Sequence, residues 1–451
     1  MASIVEFVPL CNDEVFASSI LGMTAFDEKW LAIDPATGTK DLQPLVQALR
    51  AELDPTGAED DQTKLMKSVR LASLGYSTWT FNESRPVFNT SFNGIPTGAK
   101  VAIHAEVRPH GSVELLPVGK PFLVSVSTDT IPSDLSGSVP LKFPWNSDRL
   151  HQVRAPIDLS IELIAKYEDG TEDRGLEQIR VLPVSDVEAA YPCGLAWATL
   201  VDEAHPYVQK IINNINQQPE LVRESVSLTG AGGDESAQIL SAYLVWKELV
   251  RRGLRYQNLT GSSVLNAQRT RTVHESLCDR NANCVDGAVL FASFLKAMGF
   301  KTYIVLLPGH ALVAAQVDGG PTLFIETTVL GTPVASDQST AYDAEFRAIT
   351  NTFRFVRNDP TLYQFEAACA AGNAAFSQGL SDAEQALAEW NAVCAKGDPQ
   401  LPDGSWRPEA VQALMKLSAQ LLTVDVDQAR ALGVRPIGIP PDLEQRYPLP
   451  K

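Results

Sequence analysis

Residues 283–298 place the tightest constraint on this chain. After the opening Asn283-Cys284-Val285-Asp286-Gly287, the residues Val285, Val289, Leu290, Phe291, Phe294, Leu295 and Met298 put apolar side chains on almost every face of a helix, and Gly299 offers the left-handed position that ends it. Such a helix is stable only when other elements cover it all round. Asn283 is a good N-cap, which makes Cys284 the first helical residue. There the unpaired amides and the positive end of the helix dipole favour thiolate over thiol, and a thiolate is a nucleophile.

The next residues provide cover and two further reactive groups. Lys301–Leu307 is a β-rich run, Pro308-Gly309 a turn, His310–Val317 a second run of small apolar residues, and Thr322–Thr327 a third strand. Cys284, His310 and Glu326 therefore stand at a helix N-terminus and on two successive strands, rigid elements that suit a nucleophile, its base and an orienting acid. Strand register decides whether Glu326 reaches His310. A two-residue loop at Gly319-Gly320 sets Glu326 opposite Val313, on the wrong face of the sheet. A three-residue loop, Asp318-Gly319-Gly320, sets it opposite Leu312 and diagonal to His310, roughly 7–8 Å away at the backbone. The glycine pair permits this second register.

Plainer readings of the same residues exist. A free cysteine often packs as a small hydrophobe. Glu326 also fits a surface carboxylate at a strand end, and Asp286 is read as structural first, because an acid in the first helical turn is favoured by the dipole. His274, Cys278, Cys284 and His310 also suggest a zinc set, but they lack a C-x-x-C pair or a second close pair. The Asn-Cys-x-Asp opening and the Pro-Gly-His turn occurring together favour catalysis, with no metal or cofactor.

The 451 residues suffice for two to four domains, and 45% hydrophobic with 20% charged residues is ordinary for a soluble globular protein. A formal net charge of −17 repels phosphate backbones, so nucleic acid is not an expected partner. The N-terminus lacks a basic region followed by an apolar core, and no run is long enough to span a bilayer; the expectation is a cytoplasmic protein with no membrane partner. The six cysteines (Cys11, Cys193, Cys278, Cys284, Cys369, Cys394) are scattered, as reduced thiols are.

Patterning divides the chain into a mixed region at 1–90, a β-rich region at 91–188, a thiol domain at 189–358 and a helical region at 359–451. In the first, Leu42–Leu53 and Gln62–Ala72 read as helices around an acidic loop at Glu59-Asp60-Asp61. Between 98 and 185, short alternating runs punctuated by Gly and Pro, with a hairpin turn at Glu168-Asp169-Gly170-Thr171, predict a small antiparallel β-sandwich. His104, His110 and His151 there have no ligand spacing, and the module is assigned an orienting role or contact with a partner protein. Glu235–Arg252 predicts an amphipathic helix ended by Gly253 and packed on the Cys284 helix. Further on, Ser381-Asp382-Ala383-Glu384 reads as a capping box that starts a helix, and Pro408–Leu422 as another helix. No repeat or nucleotide-binding fingerprint is present.

Gln268-Arg269-Thr270-Arg271, Asn283 through Ser293, Pro308-Gly309-His310 and Ile325-Glu326-Thr327-Thr328 together resemble the transglutaminase-like superfamily of papain-like thiol enzymes, and most of all its bacterial cysteine-protease-like branch. The resemblance covers roughly residues 240–330. It implies Cys284 as nucleophile, His310 as general base and Glu326 as third member, in the superfamily's order, with Glu where Asp is more usual. The expected whole is a multidomain α+β protein: a papain-like, transglutaminase-type core, an antiparallel β-sandwich before it and helices after it. The expected chemistry is acyl transfer on an amide of a protein or peptide substrate, with hydrolysis favoured. Protein cross-linking by transamidation, and a non-catalytic peptide-binding or scaffolding role, are the alternatives.

Overall fold

The computed structural model describes residues 5–9, 14–22, 86–92, 100–109, 115, 122–127, 138–142, 145–167, 170–188, 194–228, 230, 232, 234–258, 267–332, 344–397, 407–418, 421–431, 433–440 and 442–450. The helices expected at Leu42–Leu53 and Gln62–Ala72, the acidic loop between them, and His110 lie outside the described residues. Helices and strands are mixed, an α+β organisation, and the chain divides into two compact units. Met1–Ala189, Ser262–Gln268 and Leu432–Pro441 form the first; Ala190–Gly261, Arg269–Ala431 and Asp442–Lys451 form the second. The regions read from sequence as 189–358 and 359–451 thus share one unit, except for residues 189, 262–268 and 432–441. Among the described residues no helix is long and apolar enough to cross a membrane.

Among the described residues of the first unit, beside the short strand Asp186–Glu188, are β1 (Val5–Pro9), β2 (Glu14–Phe16), β3 (Pro86–Phe92), β4 (Lys100–Pro109), β5 (Phe122–Ser127), β6 (Ser138–Lys142), β7 (Ile157–Tyr167) and β8 (Glu172–Leu182). The eight numbered strands build a three-stranded sheet in the order β1-β3-β6 and a five-stranded sheet in the order β2-β8-β7-β4-β5. The β7–β8 hairpin turns at Gly170, whose φ of 83° suits a residue without Cβ. Its pairing runs unbroken from Lys166↔Glu172 to Ile157↔Val181. Leu159, Ile161, Leu163, Ile179 and Val181 are buried along it.

The second unit is built around the helix Cys284–Met298 and a four-stranded sheet in the order Thr322–Ile325, His310–Gln316, Lys301–Leu307, Leu422–Asp425. Every residue from Ala311 to Ala315 is buried, and the helix buries Ala288, Val289, Leu290, Phe291, Phe294 and Leu295 almost completely. Each large apolar side chain removed from water here stabilises the fold by about 1.5–3 kcal/mol, which is why a run apolar on every face sits in the middle of the unit. From the helix Glu235–Arg251, Trp246 meets Phe291 edge-on at 6.1 Å between ring centroids.

Downstream the structure departs from the sequence reading in two places. No helix starts at Ser381: Pro360–Ala395 is a single helix of 36 residues, capped by Asp359. No proline interrupts it, and Asp382 accepts a hydrogen bond from Gln378 Nε2 at 2.9 Å, a pairing one helical turn apart that holds the chain helical. Pro408–Ser418 is helical as expected, but Leu422 opens a strand that pairs with Tyr303–Leu306. The alternation of Leu422 and Val424 with polar neighbours gains more from the free edge of that sheet than from another helical turn.

Candidate active site

Asn283 caps the central helix with φ −84° and ψ −172°, and Cys284 is its first residue. The cap is a full capping box: Asn283 Oδ1 accepts from the Asp286 amide at 2.8 Å, and Asp286 Oδ2 accepts from the Asn283 amide at 3.0 Å. Asp286 is completely buried and also accepts from the Arg271 amide (2.7 Å) and Arg271 Nη1 (3.0 Å). Burial pushes its carboxyl up despite the hydrogen bonds from Asn283 and Arg271. This residue locks the approach to the helix and holds the cysteine's turn in place. Cys284 itself is half-buried, with its amide among the first-turn N–H groups that have no partner within the helix.

Glu326 directly follows the strand Thr322–Ile325, and His310 opens the strand His310–Gln316, which forms a hairpin with Lys301–Leu307. Pro308-Gly309, with Gly309 at φ 69°, is the two-residue loop of this hairpin, so that Leu307 pairs with His310. At the next loop Gly319 has φ 70°, and Val313 pairs with Ile325 and Gln316 with Thr322. That is the register of the three-residue loop, and the strand ends one residue before Glu326. Glu326 then caps a short 3-10 turn, Thr327–Val329.

From this position Glu326 Oε2 lies 2.6 Å from His310 Nε2, while its Oε1 accepts from Thr328 N (2.9 Å) and Thr328 Oγ1 (2.7 Å). The Glu326 amide donates to the carbonyl of Ala368 on the long helix at 3.1 Å. The Cys284 thiol acts on the same imidazole as a hydrogen-bonding side chain. These hydrogen bonds, from Cys284 first and Glu326 second, raise the His310 pKa to about 10. Burial works against the Glu326 charge, yet the hydrogen bonds from His310 and Thr328 keep its carboxyl below its ordinary value.

Two close approaches fix the acid's turn against the cysteine's helix. Thr327 Oγ1 donates to the Cys284 carbonyl at 3.4 Å. A Cβ at Gly287 would overlap Thr327 Cβ and Oγ1, so only glycine lets this turn seat there.

Sequence reading had not singled out Tyr256. The two-residue strand Arg255–Tyr256 pairs in parallel with Asn281–Ala282, directly before the N-cap. Burial, and after it the charges of Cys284 and Glu326, push the Tyr256 hydroxyl above its ordinary pKa. The residue is 40% exposed and its hydroxyl donates to Asn258 Oδ1 at 2.5 Å. A strand of two residues has no alternation to read, so only this pairing identifies it. His274 and Cys278 are engaged elsewhere. His274 is buried, at 3.0 Å from Thr272 Oγ1 and stacked on His205, while Cys278 Sγ donates to the Tyr447 carbonyl at 3.3 Å. Among the described residues no three His, Cys, Asp or Glu side chains form a metal-holding group.

The arrangement brings together a sulfur at a helix start, an imidazole at a strand start, and a carboxylate held on two sides. No family model, curated protein or solved structure matches this chain.

Proposed function

We propose that this protein is a thiol-dependent acyl-transfer enzyme of the transglutaminase-like, papain-like type, with a β-sandwich before its core, and that it hydrolyses an amide bond in a protein or peptide. The observation that carries this reading is the imidazole of His310 held between Cys284 and Glu326, with Nε2 only 2.6 Å from the carboxylate. Geometry of this kind makes a nucleophile and a proton carrier out of two side chains that are weak by themselves.

In the proposed reaction Cys284 attacks the amide carbonyl as thiolate. The S–C bond forms, the C–N bond breaks, and the proton on His310 passes to the leaving amine. Water then attacks the thioester, giving a proton to His310 as the S–C bond breaks and the acid product leaves. The Cys284 amide is the group to stabilise the oxyanion at each step. Glu326 keeps the ring oriented and its positive form favourable, and Tyr256 borders the bound acyl group. Hydrolysis is preferred over transamidation because only water is needed as acceptor.

The test is an activity-based thiol probe on the full chain, followed by mapping of the labelled residue. Labelling at Cys284 that disappears in His310→Ala supports the reading. Undiminished labelling in that variant removes His310 from the reaction and leaves a thiol-enzyme fold used for binding.

A further inference from the structure

The segment that carries Glu326 passes from the sheet to the long helix Pro360–Ala395. Its strand ends at Ile325, and the next amide, that of Glu326, donates to the Ala368 carbonyl at 3.1 Å. One turn to either side of Ala368 on that helix, two further residues meet the same segment. Gly372 lies so close that a Cβ there would overlap the Phe324 carbonyl and the Ile325 nitrogen, and Gln364 donates from Nε2 to the Thr332 carbonyl. Residues 364, 368 and 372 are spaced by four and so share one face of the helix. They meet the chain before Glu326, at Glu326, and after the 3-10 turn that Glu326 caps.

Gln364 is buried, and its Oε1 accepts from Trp246 Nε1 at 3.3 Å. An indole N–H only donates and a backbone carbonyl only accepts, so the side chain between them must accept at one end and donate at the other, as a neutral amide does. Trp246 in turn packs edge-on against Phe291 of the Cys284 helix. We propose that Gln364 is a positioning residue of the Cys284, His310 and Glu326 site: it clamps the exit of the acid's turn while Ala368 holds the entry, and so fixes the Glu326 carboxylate against the His310 ring. The proposal rests on the triad reading given above.

The carboxylate follows its own turn. Glu326 Oε1 is fastened to the amide and hydroxyl of Thr328, inside that turn, while Oε2 reaches out to His310 at 2.6 Å. A turn released at Thr332 carries the carboxylate with it when it shifts. The hydrogen bond to the ring is short and charge-assisted, so lengthening or tilting it weakens it steeply. Gln364 touches neither reacting group and acts on the imidazole through the turn.

The ring of His310 reports on this directly, because hydrogen bonds from Cys284 and Glu326 are what hold its pKa up. The experiment titrates His310 by NMR in the full chain labelled with 15N-histidine. Wild type should titrate well above the ordinary histidine value. Gln364→Met, of similar length but without either hydrogen bond, should lower the midpoint by about one unit, a tenfold change in the imidazolium's stability. Gln364→Asn keeps the amide but is one methylene too short to span Trp246 and Thr332, and should shift it the same way. Alkylation of Cys284 by limiting iodoacetamide should slow in both variants. Leu221→Ala, a core truncation in the helix Pro219–Glu224, is the control for lost stability and should leave the midpoint in place. A wild-type ring that titrates at its ordinary value overturns this proposal together with the proposed function. A raised midpoint that stays put in both Gln364 variants, or falls as far in Leu221→Ala, overturns this proposal alone.

Discussion

His310 Nε2 and Glu326 Oε2 stand 2.6 Å apart across a strand pair whose ladder stops at Ile325. One residue beyond the ladder, the backbone of Glu326 leaves the strand for a 3-10 turn, and this lets its carboxylate bind the ring and Thr328 together. Two glycine loops, at 309 and 319, set the two registers that bring this about.

Among the thiols, Cys284 is expected to be the most reactive. Burial pushes Cys278 up to about 11 and drives Cys369 far higher, so neither forms much thiolate near neutral pH. Limiting iodoacetamide followed by peptide mapping should give Cys284 first, and early labelling of Cys278 would contradict the assignment.

Removal of the imidazole and alteration of its carboxylate should differ in size. His310→Ala takes away the proton carrier, and turnover should fall by about 10²–10⁴-fold. Glu326→Gln keeps both reacting groups and disturbs only the ring's orientation and charge, so its loss should be smaller. Rates of probe labelling and of amide hydrolysis check both, with circular dichroism to confirm that each variant is folded.

Stability should depend on pH through this pair in a defined window. The His310 pKa is raised from 6.5 to about 10, so its contribution is full below pH 6.5 and vanishes as pH climbs through 10. Glu326 is lowered from 4.5, so its contribution is full above pH 4.5 and is lost as pH drops through the depressed folded value. The gap in urea-unfolding stability between wild type and His310→Ala should therefore be widest from pH 4.5 to 6.5 and shrink steadily toward pH 10. A gap that stays constant over the alkaline half of this range would show that the ring is not held as an imidazolium.

Asp286→Asn should destabilise the fold. Loss of one member of a buried ion pair costs about 3–5 kcal/mol, because the other charge remains without compensation. Here Asp279, 3.5 Å from Arg271 Nε and itself half-exposed, retains part of the balance, so the lower end of that range is expected. Chemical denaturation measures it.

Gly287→Ala tests how the turn is seated. The new methyl would meet Thr327 Cβ and Oγ1, and overpacking of this kind costs about 1–3 kcal/mol. Since Thr327 follows Glu326 directly, the variant should also slow turnover more than a remote substitution of equal stability cost. An alanine variant with wild-type stability and rate would mean that this contact does not position the acid.

Much of the site was legible in the sequence because its signals are local. A capping residue before a run apolar on all faces fixes a buried helix with Cys284 at its start, and glycines at 309 and 319 mark loops whose lengths set strand register. Backbone sterics and the need to bury apolar surface act within a few residues, so they can be read along the chain. The tertiary structure alone decided the rest. Tyr256 enters the site through a two-residue pairing with Asn281–Ala282, and Leu422–Asp425 becomes a strand because an edge beside Lys301–Leu307 stood open to it. Ser381 stays inside a helix because Gly372 and Gly379, which would weaken that helix in isolation, let it press against the Phe324 backbone and the Leu307 side chain. In these places the local preference is weak or contrary, and contacts between distant parts of the chain outweigh it.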